Sequence, residues 1–270
     1  MLQESCREKT VSGLLGRLSR SELVALLGPD PAHAAAWIRL LALDGVPEAQ
    51  LCYGRMLLEG TVFAQDRAAA LKWFRRAAAQ GHVGAINMVG RCLDMGWGTA
   101  EDPAAAAGFF EHAAAAGHAW AQYNLAHLYL DGRGVSRDRR RAYAGYLRAA
   151  EQGHPRAMNL LGRCYEEGWG VATDPRAALA WYERSAHGGY FRGQFNWATC
   201  LLKLRRFDEA LPWLEKAAVS GTASVRSAVA AAAGRIASHA GLRALAAALR
   251  PALSVPRHEA AGRETESDLP

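Results

Sequence analysis

The chain has 270 residues, 50% hydrophobic and 21% charged, which is ordinary for a folded protein with a sizeable buried core. Its net charge is +6, but only four of the 32 basic residues are lysines, so the basicity is a weak indication of an anionic partner. The sequence has no secretory-signal pattern, no apolar run of the roughly 18–20 residues that a membrane span needs, and an odd number of cysteines without paired spacing. These features argue against a membrane protein and predict a cytoplasmic one.

At the N-terminus, residues 1–10 are predicted to be disordered and residues 11–46 to form a degenerate capping repeat. The second half of that repeat is in register with the rest of the chain. Asp30, Trp37 and Gly45 each lie 36 residues before a matching residue of the next copy.

Residues 47–222 contain five consecutive copies of one motif, and the first four have a period of 36 residues. An aromatic pair, a pair of small residues and a closing glycine recur at the same phase. Such self-similarity predicts a solenoid of helix pairs. The copies are Pro47–His82, Val83–His118, Ala119–His154, Pro155–Tyr190 and the shorter Phe191–Thr222. The aromatic pairs are Trp73-Phe74, Phe109-Phe110, Trp181-Tyr182 and Trp213-Leu214, with Tyr146 filling one slot of the third copy.

Each copy divides into two helical patterns, which are joined in the second, third and fourth copies by a G-x-G turn. An aspartate at a fixed phase marks the start of the second helix, because its side chain accepts hydrogen bonds from free backbone N–H groups. Glycines within the first helix, such as Gly90 and Gly162, each cost about 1 kcal/mol of helix propensity. We expect close approach of the small pair of the second helix to compensate. The fifth copy lacks the G-x-G, which predicts a tight loop.

Beyond the fifth copy, residues 223–250 are predicted to form a pair of capping helices that lack the motif residues. From residue 251 the composition becomes polar. Residues 251–270 are therefore predicted to be a disordered tail.

The repeated pattern is A-x-x-x-L-G-x-x-Y-x-x-G-x-G-V followed by D-x-x-x-A-x-x-W-Y-x-x-x-A-x-x-G, seen best from Ala157 to Gly189. It resembles the Sel1-like repeats, relatives of the tetratricopeptide repeats. The resemblance implies an all-α fold, a right-handed α/α superhelical solenoid of about six to seven helix pairs. It also implies a non-enzymatic adaptor that binds other proteins. The fifth copy departs from the pattern and looks more like a tetratricopeptide unit.

In solenoids of this kind the first helix of each copy lines a concave surface. Along that helix arginines recur at one phase and asparagines at another, with aromatic residues between them. Such donors suit the backbone carbonyls or a carboxylate of a peptide. The alternative is that these side chains are solvated or bridge neighbouring copies. The predicted groove comprises Arg55, Asn87, Arg91, Trp120, Tyr123, His127, Asn159 and Arg163.

Two of the G-x-G turns contain a tryptophan, Trp97 or Trp169, where other copies have Thr61 or Arg133. The fold therefore does not require tryptophan there. Packing on a neighbouring copy is one interpretation, and contact with a partner at the rim of the groove is the other.

Other candidate chemistry is weaker. Cys92 and Cys164 lie two copies apart, roughly 20 Å at about 8–10 Å per helix layer, which is too far for a disulfide or a shared metal. We interpret them as buried filler residues and His82, His118 and His154 as turn residues. The sequence contains no nucleophile motif, metal-binding motif or phosphate loop. We therefore expect no catalytic residue, metal or cofactor.

The leading functional hypothesis is a protein-interaction scaffold that binds a peptide or protein segment in the groove. The first alternative is an accessory protein of a metabolic or stress system that binds a small ligand or a carbohydrate. The last is nucleic-acid contact through the basic run of residues 133–141, which lacks interleaved aromatic residues for stacking on bases.

Overall fold

The computed structural model describes residues 30–253, and the side-chain surroundings of residues 30–249. The predictions for residues 1–10, for the first half of the N-terminal cap and for most of the C-terminal tail lie outside these residues. Within the described part the chain forms thirteen α-helices and no strand. The predicted all-α fold of consecutive helix pairs is therefore confirmed.

The helices follow the repeat register. They are α1 (Pro31–Leu43), α2 (Pro47–Glu59), α3 (Arg67–Ala79), α4 (Val83–Met95), α5 (Pro103–Ala115), α6 (Ala119–Asp131), α7 (Arg139–Glu151), α8 (Pro155–Glu167), α9 (Pro175–His187), α10 (Phe191–Lys203), α11 (Phe207–Ser220), α12 (Ala223–Gly234) and α13 (Ala240–Leu253). Among the described residues, a first unit comprises residues 30–121 with 133–136, and a second comprises residues 122–132 with 137–253.

The helix starts are fixed by side-chain caps. The aspartates at the predicted phase accept backbone hydrogen bonds at the starts of α1, α3, α5, α7 and α9, as Asp102 does from Ala105 at 2.9 Å. The three histidines expected in turns have the same role at the first helix of the next copy. The Nδ1 atom of His154, for example, accepts the backbone N–H of Ala157 at 3.1 Å. In the second, third and fourth copies both helices are thus capped, the first by histidine and the second by aspartate.

The glycines within the first helices contact an aromatic ring. A Cβ atom built on Gly90 would lie 2.7 Å from the Phe110 ring, and Gly54 and Gly162 face Phe74 and Tyr182 in the same way. The expectation that the small pair fills this role is wrong. Ala113 instead joins a buried cluster with Ile86 and Ala121, at the start of the next copy. The ring therefore holds a pair together, and the small residues contact the following copy.

The second glycine of the G-x-G turn joins consecutive copies. Gly98 has a φ angle of +72°, and a Cβ atom there would overlap the backbone carbonyl of Arg67, at the start of α3 in the preceding copy. Gly170 bears the same relation to Arg139 at the start of α7. The turn therefore reverses the chain direction within one copy and also contacts the copy before it.

The fifth copy and the C-terminal pair close the repeat array. Residues 204–206 link α10 and α11, in place of the longer 168–174 segment between α8 and α9, so the predicted tight loop is present. In the C-terminal pair, α12 and α13, Val229 and Leu242 join Leu214 of α11 in one buried cluster. Helix α13 ends at Leu253, slightly beyond the predicted boundary at residue 250.

Alanine substitutions at two glycines of one helix pair test the ring contact. Gly90→Ala should lower the free energy of unfolding by about 1–3 kcal/mol, because the added methyl overlaps the Phe110 ring. Gly108→Ala should raise it by about 0.5–1 kcal/mol, because a Cβ there meets no heavy atom of the described chain within 4 Å. Urea unfolding of both variants measures the difference, and equal stabilisation by the two would contradict the contact.

Candidate functional site

In the first unit, the predicted groove residues differ in exposure. Arg55 of α2, Arg91 of α4 and Trp120 of α6 are half-buried. Asn87 of α4, by contrast, is fully buried. A partner could therefore reach the two arginines and Trp120, whereas Asn87 lies beneath the surface.

Arg91 is held in place by the tryptophan of the following turn. Its guanidinium carbon lies 5.0 Å from the centre of the Trp97 ring, within the range of a cation–π interaction. Trp97 is only 9% exposed, and its backbone N–H donates to the carbonyl of Cys92 at 2.9 Å. Trp97 thus packs under Arg91 as well as closing the end of α4.

The second unit repeats this arrangement in a more open form. The Arg163 guanidinium lies 4.5 Å from the centre of the Trp169 ring, and Arg163 is exposed while Trp169 is half-buried. Asn159 is buried and accepts a hydrogen bond from Asn196 of α10 at 2.8 Å. Asn159 therefore bridges neighbouring copies, as the alternative interpretation of these residues anticipated.

Tyr123 and His127 of the predicted groove belong to a ring cluster inside the second unit. Tyr123 is buried, stacks on His154 with ring centres 4.9 Å apart, and meets His127 edge-on at 4.7 Å. His127 also contacts the ring of Tyr146 at 5.6 Å. Burial raises the pKa of Tyr146 well above its usual value, so this phenol stays neutral. Of these rings, only the half-buried His127 reaches the surface.

The predicted site residues therefore fall into two sets. The accessible set contains Arg55, Arg91, Trp120, His127, Arg163 and Trp169. The buried set contains Asn87, Trp97, Tyr123 and Asn159. Of the buried set, Trp97 contacts Arg91 and Tyr123 contacts His127.

Three of the five arginines of the basic run make side-chain contacts within the protein, and the other two, Arg139 and Arg140, are exposed. Arg133 forms an ion pair with Asp94 at 2.9 Å. Arg137 donates to the carbonyl of Leu130 at 2.9 Å, and Arg141 donates to the hydroxyl of Tyr129 at 3.1 Å. These contacts explain an arginine-rich segment at this place without a nucleic acid.

The cysteines of the first helices behave as small apolar residues. Cys92 and Cys164 are fully buried, and burial raises the pKa of each thiol to about 12. Neither thiol therefore ionises near neutral pH. Within the described residues, no group of three or more His, Cys, Asp or Glu side chains is placed to hold a metal ion.

The third copy departs from the others at two facing positions. Gly145 occupies the first slot of the aromatic pair, and Ala126 replaces the glycine that faces the ring in the other three full-length copies. A cavity of about 260 Å³ lies beside Gly145, between α6 and α7 of the second unit. The sequence analysis missed this feature, although the gap in the aromatic register at residue 145 marks its place.

A family model for the Sel1 repeat matches residues 47–82, 83–118, 121–154 and 155–190, more than half of the chain. The chain belongs to the Sel1 repeat family. Sel1 repeat proteins are generally protein-interaction scaffolds and typically non-catalytic. The match does not extend to the shortened fifth copy.

Solved Sel1 repeat structures resemble this chain. A Sel1 repeat protein from Oxalobacter formigenes is 29% identical, with a TM-score of 0.65 over 70% of this chain and 77% of its own. The protective antigen c5321 of uropathogenic Escherichia coli, which has an SLR fold, is 28% identical with a TM-score of 0.63 over 82% of this chain. The match spans 49%, about half, of the antigen.

A more distant structure shares the fold alone. The immunity protein Pa5087 of Pseudomonas aeruginosa is 15% identical, with a TM-score of 0.53 over 77% of this chain and 80% of its own. No curated protein sequence matches the chain. Among the described helices of this Sel1 repeat protein, none has the length and apolarity to cross a membrane.

A histidine cap next to Arg55 gives the first unit a pH dependence. The His118 Nδ1 atom accepts the Ala121 backbone N–H at 3.3 Å and must be unprotonated to do so. Burial first, and then the charges of Arg55 and His82, lower the pKa of His118 below its usual 6.5. The folded state thus binds fewer protons than the unfolded state, and stability falls as the pH drops.

We predict that the free energy of unfolding declines below about pH 6.5, as the unfolded chain takes up a proton that the folded cap excludes. His118→Asn should reduce this decline, because asparagine caps a helix without titrating. Chemical unfolding between pH 5 and pH 8 measures the effect. His112→Asn, at an exposed histidine on α5, is the control. An undiminished decline in the His118 variant would contradict the assignment.

Proposed function

We propose that this Sel1 repeat protein is a non-catalytic scaffold that binds an acidic or carboxylate-bearing segment of a partner protein. In the first unit the binding surface would be the accessible face of the first helices with Arg55, Arg91 and Trp120. In the second unit it would be the corresponding face with His127 and Arg163. The buried Asn87, Tyr123 and Asn159 would support this surface from below.

The observation that carries the proposal is the pairing of two of the three groove arginines with a turn tryptophan. Arg91 lies over Trp97 in the first unit, and Arg163 lies over Trp169 in the second. A guanidinium group held against a ring keeps its N–H donors oriented, and arginine donors match a carboxylate in a bidentate geometry. Because the side chain is ordered before binding, less conformational entropy is lost when the partner arrives.

The tryptophans thus have a role that packing alone does not explain. Where a copy has threonine or arginine at the turn, as at Thr61 and Arg133, the fold forms equally well. Tryptophan occurs in the two copies whose first helix carries Arg91 or Arg163. The first copy has Arg55 at the same phase but Thr61 at its turn, so the arginine–tryptophan pair is a feature of the second and fourth copies, where we propose that it serves binding.

Affinity capture from a cell lysate, with three baits compared in parallel, tests the proposal. The bait is the full chain, and the test variant is Arg55→Gln/Arg91→Gln/Arg163→Gln. The control is Arg75→Gln/Arg139→Gln/Arg140→Gln, which makes the same charge change at exposed arginines of second helices. Quantitative mass spectrometry compares the three baits.

We expect at least one protein to bind the wild type and the control equally and the test variant at least tenfold more weakly. Binding should also weaken between 0.15 and 0.5 M salt, because exposed charges are screened. Retention of every captured protein by the test variant would contradict the proposal. Equal losses from both variants would indicate non-specific attraction to positive charge, and would contradict it as well.

A further inference from the structure

The third copy lacks a ring that every other copy has. Gly145 stands at the position of Trp73 and Phe109 in the copies before it, and of Trp181 and Trp213 in the copies after it. Each of these four rings is half-buried, with one part packed on the protein and another part at the surface. The third copy therefore lacks a ring at a position where the other copies place one at the surface.

A cation covers this ring in most of the other copies. Arg76 lies 4.4 Å from the Trp73 ring centre and Arg184 lies 4.2 Å from that of Trp181, in each case three residues further along the helix. In the fifth copy, Lys216 stands 4.3 Å from the ring of Trp213. The residue at this position in the third copy is Arg148. Arg148 is exposed and lines the cavity beside Gly145.

The cavity has the size and lining of a receptor for one side chain. Its volume of about 260 Å³ is below the roughly 300–1,000 Å³ of pockets for drug-sized ligands. Leu125 and Ala126 of α6 form apolar lining, and Leu125 corresponds to Tyr53, which packs edge-on against Trp73 in the first copy. The cavity therefore has an apolar wall at the position where the ring of the first copy packs.

The opening of the cavity is positively charged. Arg141 and Arg148 are both exposed and both line it, about one helical turn to either side of Gly145. The residues that match Arg141 in the other full-length copies are alanines. The second arginine is therefore peculiar to the copy that lacks the ring.

We propose that the cavity between α6 and α7 receives an aromatic side chain, tryptophan above all, from a partner segment with acidic residues on either side of it. This proposal rests on the proposed scaffold function and identifies one contact between the scaffold and its partner. Arg148 would cover the inserted ring as Arg76 and Arg184 cover their own, and both rim arginines would attract the flanking carboxylates.

The ring cannot come from the parts of the sequence outside the described residues. Residues 1–29 and 254–270 contain no phenylalanine, tyrosine or tryptophan. All aromatic residues of the chain lie in the described part, where each is buried or half-buried. A second folded copy therefore offers no ring that is fully exposed for insertion, and we take the occupant to be a segment of a different protein.

Short capped peptides serve as probes, with ¹⁵N-labelled full chain observed by NMR. We expect acetyl-Asp-Trp-Asp-amide to shift the backbone signals of Leu125, Ala126 and Gly145 with a Kd of about 1 mM, consistent with one buried side chain. Acetyl-Asp-Ala-Asp-amide should bind at least tenfold more weakly, because it lacks the ring. Acetyl-Lys-Trp-Lys-amide should bind about fivefold more weakly, because its charges are repelled by the rim.

Two variants test the assignment of the site. Ala126→Gly/Gly145→Trp restores the residue types of the other copies and fills the cavity from within, so binding of the acidic tryptophan peptide should fall at least tenfold. Arg141→Gln/Arg148→Gln changes only exposed side chains and should weaken binding about fivefold. Arg184→Gln removes one cation that covers a ring already present, and should leave binding unchanged.

Specific outcomes overturn the proposal. Shifts that lie outside α6 and α7, or equal binding of the alanine and tryptophan peptides, would show that the cavity is not a ring receptor. Binding of free N-acetyl-tryptophanamide as tightly as the acidic peptide would indicate a small aromatic ligand instead of a protein segment. The groove variant Arg55→Gln/Arg91→Gln/Arg163→Gln should still bind the peptide, so that failure of the groove and failure of the cavity are separate results.

Discussion

The structure depends on one close contact, an aromatic ring of the second helix lying against the bare Cα of a first-helix glycine. Each such glycine costs about 1 kcal/mol of helix propensity, whereas full burial of a phenylalanine contributes about 1.5–3 kcal/mol. Phe74 and Phe110 are completely buried in this way, and Tyr182 nearly so. The free energy gained by burying the ring exceeds the helix propensity lost at the glycine, but only while the glycine position carries no side chain. This constraint explains why the repeats keep glycine in the middle of a helix.

The same constraint explains the binding features. Because the ring fixes the spacing of each pair, the small residues and the G-x-G turn are left to join one copy to the next, as Gly98 does with Arg67. In the third copy Ala126 stands where the other full-length copies have glycine, and Tyr146 keeps the ring at the position of Phe74, Phe110 and Tyr182. Gly145, the residue before Tyr146, lacks the other ring of the aromatic pair, and a Cβ atom there would lie 2.9 Å from that of Ala126. Helices α6 and α7 thus pack closely without a ring at residue 145. The cavity beside Gly145 is the space that we propose a partner fills.

Most of the fold could be predicted from the sequence because its signals are local and repeated. The aspartate caps, the glycine turns and the short loop of the fifth copy each depend on neighbouring residues, and the structure contains all of them. The ring contact of Gly90 was not predicted, because helical phase shows which face a residue is on but not which side chain meets it. The 36-residue period does not show whether Phe110 or Ala113 contacts Gly90.

The candidate site could be predicted only in part, for a related reason. Asn87, Asn159 and Arg163 recur on the same face of their helices, but the depth of each depends on how the next copy packs. Asn159 is buried where it accepts a hydrogen bond from Asn196 of the next copy, whereas Arg163, one turn further along, is exposed. Depth is a property of the assembled repeats, and no single copy encodes it.

The central claim is that close packing of a helix pair restricts the volume of facing residues, so that in the third copy a Cβ atom fits at residue 126 or at residue 145 but not at both. A double-mutant cycle with Ala126→Gly and Gly145→Ala measures this directly, since a Cβ atom on Gly145 would lie 2.9 Å from that of Ala126. We predict that Gly145→Ala destabilises the native background and costs at least about 1 kcal/mol less when residue 126 is glycine. Additive effects within about 0.3 kcal/mol in urea unfolding would contradict the account.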